Sequence, residues 1–136
     1  AYEYLEYRSS KQISFTFESS KEKLYSNLNE ELYAWVIENL IKNAIDAMLG
    51  KGELAVAITA DAKKIKIDIT DTGKGMAKSQ FKKIFKPGFT TKKRGWGLGL
   101  SLSKRIIEDY HKGKIVVKNS EINKGTTFQI VLDKIS

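Results

Sequence analysis

The sequence predicts an α+β fold, a two-layer α/β sandwich in which a mixed, mostly antiparallel sheet carries helices on one face. Three observations predict it. The length of 136 residues suits one domain with its own core, strand-like segments come in pairs joined by short turns, and two helix-like segments lie between them. Because strands joined by hairpins run antiparallel, the sheet cannot be entirely parallel.

The first half of the chain predicts a strand, a long helix and a hairpin. Residues 12–17 alternate between apolar and polar side chains, which predicts a strand. Residues 28–49 are rich in Leu, Ala, Glu and Ile, and Gly50 supplies a stop, which predicts a helix. Strands are predicted over 53–60 and 63–70, with a polar Asp-Ala turn between them.

The second half predicts two more strands, together with helices that border a loop. The predicted elements are a short helix over 77–85, a glycine-containing loop over 90–99, a helix over 100–110, and strands over 114–118 and 126–132. Leu102, Ile106 and Tyr110 fall on one stripe of the longer helix, so that stripe is expected to be buried.

Composition narrows the classes of function. The chain has no cysteine, which excludes disulfides and thiolate metal sites, and no apolar run approaches the ~20 residues that cross a bilayer. The net charge is +8, and residues 72–107 hold ten Lys or Arg and no acidic residue. Such a local excess indicates an anionic partner, or alternatively a solvated basic face.

One face of the long predicted helix carries three short polar side chains, those of Asn39, Asn43 and Asp46. Asparagine is a poor helix former, so its presence here needs a reason. Two amide oxygens together with phosphate oxygens would suit Mg²⁺, a cation that prefers oxygen ligands. The alternative is a hydrogen-bonded polar network between packed helices.

Two glycine-containing segments predict contacts with a nucleotide. Asp71 ends a strand in the segment Asp-Thr-Gly-Lys-Gly-Met, where its carboxylate can accept a hydrogen bond from the exocyclic amine of adenine, or alternatively can start a simple turn. The glycines of residues 95–101 precede a helix, whose first N–H groups can face a phosphate. This segment is neither a Walker A loop nor a Rossmann motif. Between the two segments, Phe85 and Phe89 can anchor a lysine-rich loop.

The order and spacing of these motifs resemble the ATP-binding catalytic domain of sensor histidine kinases. That family belongs to the GHKL superfamily, with gyrase, a heat-shock chaperone and mismatch-repair ATPases, and the resemblance implies its Bergerat fold. The family's N, G1, F, G2 and G3 boxes correspond to residues 39–48, 71–76, 81–91, 95–101 and 125–128. The resemblance implies an ATP-binding catalytic domain over 12–136, preceded by the end of a linker over 1–11.

The resemblance also implies a role for each motif residue. Asn43 would ligate Mg²⁺ with Asn39 beside it, and Asp71 would bind the adenine amino group. The remaining implied nucleotide contacts are Gly73 and Gly75 approaching the base, Lys92, Lys93 and Arg94 in a lid, Gly95, Gly97, Leu98, Gly99 and Leu100 around the phosphates, and Thr126 or Thr127 beside the adenine. Asp46 departs from the Lys or Arg that many members of the family carry there.

Asn39 favours a kinase over an ATPase. ATPases of the superfamily carry a glutamate four residues before the magnesium asparagine, as general base for water. Here that position is Asn39, and an amide cannot act as a base. Glu38 is about 140° around the helix from Asn43, at ~100° per residue. Phosphoryl transfer to a supplied nucleophile is therefore favoured over hydrolysis.

The resemblance implies partners that lie outside this sequence. ATP and ADP would be bound here, the acceptor histidine would lie on a dimerisation domain of the same protein, and a response regulator would follow. The lone His111 after the second helix is expected to be a helix cap or a surface residue. The domain is expected in the cytoplasm, with neither nucleic acid nor membrane as its partner. An anti-sigma-factor-like serine kinase and a basic nucleic-acid-binding module remain the alternatives.

Overall fold

The structure, a computed structural model, describes residues 13–19, 30–86 and 97–134. The elements in chain order are strand β1 (Ile13–Ser19), helix α1 (Glu30–Met48), strands β2 (Gly52–Ala60) and β3 (Lys64–Asp71), two short 3-10 helices (Lys78–Gln80 and Lys83–Phe85), helix α2 (Gly97–Arg105) continued by a π-helical turn (Ile106–Tyr110), and strands β4 (Lys114–Glu121) and β5 (Gly125–Asp133). The predicted linker over 1–11 and residues 90–96 of the predicted loop over 90–99 lie outside the described residues.

The five described strands form one sheet in the order β1-β2-β3-β5-β4. β1 and β2 are parallel, and the other three pairs are antiparallel. A parallel pair needs a crossover between its strands, and α1 occupies the connection between β1 and β2. The predicted mixed, mostly antiparallel sheet is confirmed.

The core lies between the sheet and the two helices. One face of β3 buries Ile65, Ile67 and Ile69, because alternate residues of a strand point the same way. Their partners on β5 are apolar and buried as well: Leu132, Ile130 and Phe128. On α1 a stripe with a spacing of four residues faces this layer: Val36, Leu40, Ala44 and Met48. No helix in the described part of the chain combines the length and apolarity that crossing a bilayer requires.

The turns that end α1 and join β2 to β3 match the sequence predictions. After Met48 the chain takes up left-handed geometry at Leu49 (φ 53°) and Gly50 (φ 87°), as the predicted glycine stop requires. Between the strands, the Asp61 carboxylate accepts hydrogen bonds from the backbone N–H of Lys63 at 2.9 Å and of Lys64 at 2.8 Å. These two N–H groups lower the pKa of Asp61.

The helix predicted over 100–110 begins three residues earlier, at Gly97, and buries a different face. Ile106 is buried as predicted, but Leu102 is 41% exposed and Tyr110 is 68% exposed, so the predicted stripe is wrong for those two. The buried face centres on Ser103 and Ile107. Because a polar serine lies at the centre of this buried face, the periodicity of apolar residues does not reveal it.

The short helix predicted over 77–85 is replaced by the two 3-10 helices. The first buries none of its residues, whereas the second buries Ile84 and Phe85. A segment this short gains little from α-helical hydrogen bonds, so the burial of its apolar end decides its path. The Phe85 ring packs edge-on against Phe128, with centroids 6.2 Å apart.

Candidate functional site

Asn43 lies half-buried on α1, and its amide orientation follows from its hydrogen bond. The side-chain Nδ2 donates to the backbone carbonyl of Asn39 at 2.9 Å. With Nδ2 directed to the backbone, Oδ1 is the atom of this side chain that can meet a cation, and an amide oxygen is a ligand suited to Mg²⁺. Asp46, one turn further along, is exposed.

Asn39 is buried and contacts α2. Its Nδ2 donates to the Ser103 hydroxyl at 3.0 Å, and that hydroxyl donates to the Gly99 carbonyl at 2.8 Å. A methyl group on Gly99 would lie 2.7 Å from Asn39 Oδ1. The polar network that the sequence left as an alternative therefore exists for Asn39, and it fixes the first turns of α2 against α1.

Asp71 is a buried carboxylate at the end of β3, with 3% of its surface exposed. Oδ1 accepts the backbone N–H of Gly73 at 2.8 Å. Burial raises the pKa of Asp71, and the backbone N–H groups of Gly73 and Thr126 oppose part of that rise. Both the Asp-initiated turn and a buried hydrogen-bond acceptor are present, so the two interpretations of Asp71 are compatible.

The glycines of the Asp71 loop (residues 71–76) allow it to pack against other parts of the protein. A methyl group on Gly73 would lie 2.6 Å from the backbone of Ala47, and the next residue, Lys74, donates its N–H to the Ala47 carbonyl at 3.0 Å. Gly75 has φ +65°, and a methyl group there would lie 1.8 Å from the Glu121 carbonyl oxygen. The requirement for glycine at both positions arises from contacts with α1 and with the β4–β5 turn.

Thr126 and Thr127 point to opposite faces of the sheet. Thr126 pairs with Asp71 in the β3–β5 register, so the two side chains share a face. Thr127 pairs with Thr70, and their hydroxyls are 2.9 Å apart on the other face. Of the two threonines that the sequence offered for the adenine side, Thr126 is the one beside Asp71.

The basic segment is only partly described. Five of its lysines are exposed between residues 74 and 86: Lys74, Lys78, Lys82, Lys83 and Lys86. Lys104 on α2 places its Nζ 5.6 Å from the centre of the Phe85 ring. The predicted lid residues Lys92, Lys93, Arg94 and Gly95, with Phe89, lie outside the described residues, and for Gly97 and Leu98 only the helical backbone is described.

Helix α1 connects the predicted adenine and phosphate ends of the site. Near its C-terminus Ala47 contacts the Asp71 loop, and Asn39 contacts the first turns of α2. The two positions are eight residues apart, or ~12 Å along the helix axis. Asn43 lies halfway between them. An extended nucleotide with its base at Asp71 and its phosphates at the start of α2 would pass Asn43.

Comparison with known proteins decides the family. The model of the histidine kinase-, DNA gyrase B- and HSP90-like ATPases matches residues 29–136. The chain belongs to this family. It is 44% identical over 98 residues to sporulation kinase E of Bacillus subtilis (strain 168), covering 71% of this chain and 13% of that protein. It is 43% identical over 97 residues to the sensor histidine kinase ZraS of Escherichia coli (strain K12), covering 71% and 20%.

Among solved structures, this chain superimposes on the catalytic domain of the histidine kinase ThkA. The TM-score is 0.80 at 35% identity, covering 90% of this chain and 81% of that one. ThkA has also been solved in complex with the response regulator protein TrrA, where the TM-score is 0.77 at 32% identity, covering 90% and 34%. The Bergerat fold implied by the motifs is thus confirmed. The chain spans about an eighth to a fifth of the length of the two curated kinases.

Sequence reasoning missed two hydroxyls that hold the site together, Ser103 and Ser120. Neither stands out by periodicity, because Ser103 interrupts an apolar stripe and Ser120 lies near a strand end. His111, in contrast, follows its prediction as a cap. It is buried, and its Nδ1 lies 2.9 Å from the Ile106 carbonyl, to which a protonated Nδ1 donates.

Proposed function

We propose that this chain is the catalytic domain with which a sensor histidine kinase transfers the γ-phosphoryl group of ATP to a histidine on a separate dimerisation domain. The observation that supports this most directly is the arrangement along α1. A buried acceptor at Asp71, the Asn43 amide and the N-terminus of α2 follow one another in the order of adenine, metal-bound phosphates and terminal phosphates. The similarity to sporulation kinase E and ZraS extends over this same region.

Hydrogen-bond acceptors of the protein would recognise the adenine base. Asp71, supported by the Gly73 N–H, would accept a hydrogen bond from the exocyclic amine of adenine, and Thr126 lies beside it. A 6-oxo base such as guanine or hypoxanthine would place an oxygen against the carboxylate, which is repulsive in a site closed to water. The site therefore favours adenine nucleotides.

The phosphates would be bound by α2 and the lid. The first N–H groups of a helix have no partner within the helix, so Gly97, Leu98, Gly99 and Leu100 offer them to an anion. We assign Lys92, Lys93 and Arg94 to the lid over these phosphates, with Gly95 at its end. The excess of positive charge in residues 72–107 supports a polyanionic ligand.

The donor set fits Mg²⁺. Asn43 offers an amide oxygen, and the phosphates would complete an all-oxygen shell. When bound, the ion neutralises charge on the phosphates. Asn39 directs its Nδ2 to Ser103 and carries no basic group, which supports phosphoryl transfer over hydrolysis. Asn39 thus acts on the reaction by holding α2.

The partners follow from the proposed reaction. The phosphoacceptor lies on the dimerisation and histidine-phosphotransfer domain of the same protein, and a response regulator takes the phosphoryl group from there. The complex of ThkA with TrrA supports such a partner. We place the domain in the cytoplasm, where ATP is supplied, as part of a longer sensor. The named relatives support histidine rather than serine as acceptor, and none of them favours a nucleic-acid-binding module.

Two experiments test the proposal. The first is calorimetric titration with Mg²⁺ and a non-hydrolysable ATP or GTP analogue, comparing the wild type with Asn43→Ala and Asp71→Asn. Preference for the adenine analogue, lost in Asp71→Asn, and weaker Mg²⁺-dependent binding in Asn43→Ala are expected. Absence of binding at millimolar nucleotide would refute the nucleotide site.

The second experiment identifies the acceptor. The domain is mixed with labelled ATP and the dimerisation domain of the full-length protein, and the product is treated with acid or alkali. A phosphohistidine has a P–N bond that acid hydrolyses, whereas a phosphoserine ester survives acid. An acid-stable product would favour the serine kinase instead.

A further inference from the structure

The hydroxyl of Ser120, on β4, lies where three parts of the site meet. The Met76 N–H donates to it at 2.9 Å, and it donates to the Gly125 carbonyl at 2.9 Å. The Thr126 hydroxyl oxygen lies 2.7 Å away. One side chain thus joins the end of the Asp71 loop to the first two residues of β5.

Counting protons fixes the direction of the Ser120–Thr126 hydrogen bond. A serine hydroxyl has one proton to donate and two lone pairs. A backbone carbonyl can only accept, so the Ser120 proton points to Gly125. The Met76 N–H takes one lone pair, and the other accepts from Thr126. Thr126 is therefore the donor in this pair, and its hydroxyl can offer only lone pairs to a ligand.

This direction matters because Thr126 stands beside Asp71. The two residues are cross-strand partners on the same face of the sheet, and both are buried. With the Thr126 proton engaged by Ser120, both side chains present acceptors. At the 6-position of a bound purine, an amino group is then favoured over a carbonyl oxygen.

We propose that Ser120 is a specificity-determining positioning residue, which holds the Thr126 hydroxyl as an acceptor and so sharpens discrimination of a 6-amino purine from a 6-oxo purine. The proposal rests on the proposed function, in which the base binds at Asp71. Without Ser120, the Thr126 hydroxyl can rotate and donate its proton to the 6-oxo oxygen. The repulsion from Asp71 would remain, so discrimination would weaken without disappearing.

The test compares ADP with IDP, which carry the same phosphates and differ along one edge of the base. ADP has a 6-amino group and an unprotonated N1, whereas IDP has a 6-oxo oxygen and an N1–H. Calorimetry on the 136-residue chain gives the affinity for ADP divided by the affinity for IDP, which is the ratio compared below. In Ser120→Ala the ratio should fall about tenfold, the effect of one hydrogen bond gained by the wrong base. Ser120→Thr, which keeps a hydroxyl, should restore the ratio. Ser14→Ala, an exposed serine on β1, is the matched control and should leave it unchanged.

Two further variants separate specificity from stability. Thr126→Val removes the same acceptor without removing a partner of Met76 or Gly125, so it should lower the ratio even where Ser120→Ala is too unstable to assay. In the Thr126→Val background, adding Ser120→Ala should change the ratio no further. An equal loss of affinity for ADP and IDP in Ser120→Ala would overturn the proposal, since Ser120 would then only brace the loop.

The outcome for Asp71→Asn distinguishes this proposal from the one it rests on. If the wild type prefers ADP and Asp71→Asn loses the preference while Ser120→Ala keeps it, only the role of Ser120 is overturned. If the wild type binds ADP and IDP equally, the base site itself is misplaced and both proposals fail.

Discussion

Asn39 and Ser103 form a buried hydrogen bond between the two helices, 64 positions apart in the chain. Nδ2 of the asparagine lies 3.0 Å from the serine hydroxyl, and the serine is fully buried. The same hydroxyl bonds back to the Gly99 carbonyl within α2. Asn39 is thereby a fixed support for the start of α2, the helix proposed to bind the phosphates.

Removing the Ser103 hydroxyl should destabilise the domain. Ser103→Ala leaves the Asn39 amide buried with its Nδ2 unpaired, which costs about 1–3 kcal/mol. Replacing both residues, in Asn39→Ala with Ser103→Ala, should cost less than the sum of the single changes, because no orphaned donor remains. Denaturant unfolding of the four proteins measures this coupling. Additive losses would show that the two side chains do not interact.

The effect of Gly99→Ala on stability should have opposite signs in the wild type and in the Asn39→Ala variant. In the wild type the added methyl would lie 2.7 Å from Asn39 Oδ1, and such overpacking costs about 1–3 kcal/mol. In Asn39→Ala that obstacle is gone, and alanine is up to about 1 kcal/mol better than glycine in a helix. The substitution should then stabilise. Thermal melts test this by comparing the wild type with Gly99→Ala, and Asn39→Ala with the double variant. Destabilisation in both comparisons would show that the Asn39 side chain does not limit the space beside Gly99.

The sheet and the motif order were predictable, whereas the packing between motifs was not. The alternation of Ile65, Ile67 and Ile69 is a local signal, so β3 could be placed from sequence. The bond between Asn39 and Ser103 depends on two helices meeting, for which no local pattern exists. For the same reason Leu102 was expected in the core and is exposed: the stripe that faces α1 is centred on a serine.

The glycines of the Asp71 loop show a second limit of sequence reasoning. Their spacing predicts a nucleotide-binding loop, and the family to which the chain belongs includes ATPases. Their physical reason differs from the one expected, because the space beside Gly73 is filled by Ala47 and that beside Gly75 by Glu121. Such contacts join residues that are distant in sequence, so only the folded chain reveals them.

Asp71→Asn should raise the stability of the nucleotide-free protein at neutral pH while weakening nucleotide binding. Burial raises the pKa of Asp71, so its ionised form is less favourable in the folded chain than in the unfolded chain. The penalty is absent at a pH below both pKa values and appears as the pH rises through the unfolded and then the folded pKa. Asparagine carries no such charge and can still accept the Gly73 N–H.

Melting temperatures of both proteins from pH 3 to pH 7 check this. The melting temperature of Asp71→Asn relative to that of the wild type should increase as the pH rises. The difference should be smallest at the acidic end. Asp109→Asn, at an exposed carboxylate in the π-helical turn that continues α2, controls for the loss of one negative charge. A wild type that is more stable than Asp71→Asn at neutral pH would show that the backbone N–H groups outweigh burial.

Gly75→Ala and Gly50→Ala together separate backbone strain from packing. Both glycines have positive φ, +65° at Gly75 and +87° at Gly50, where a side chain costs about 1–2 kcal/mol. No atom lies within 4 Å of the added methyl at Gly50, whereas at Gly75 the Glu121 carbonyl oxygen is 1.8 Å away. Gly50→Ala should therefore show the strain alone, and Gly75→Ala should lose about 3 kcal/mol or more, since the backbone must move.

Gly75→Ala should also weaken nucleotide binding, because Gly75 lies where the β4–β5 turn packs against the Asp71 loop. Asn123 donates its N–H to the Lys74 carbonyl at 2.7 Å, so the β4–β5 turn and the Asp71 loop are joined on both sides of Gly75 and should separate together in Gly75→Ala. ADP affinity, measured by calorimetry at a temperature where both variants are folded, should fall at least tenfold in Gly75→Ala and stay within twofold of the wild type in Gly50→Ala. Equal effects of the two substitutions on stability and affinity would mean that the β4–β5 turn does not hold the Asp71 loop in place.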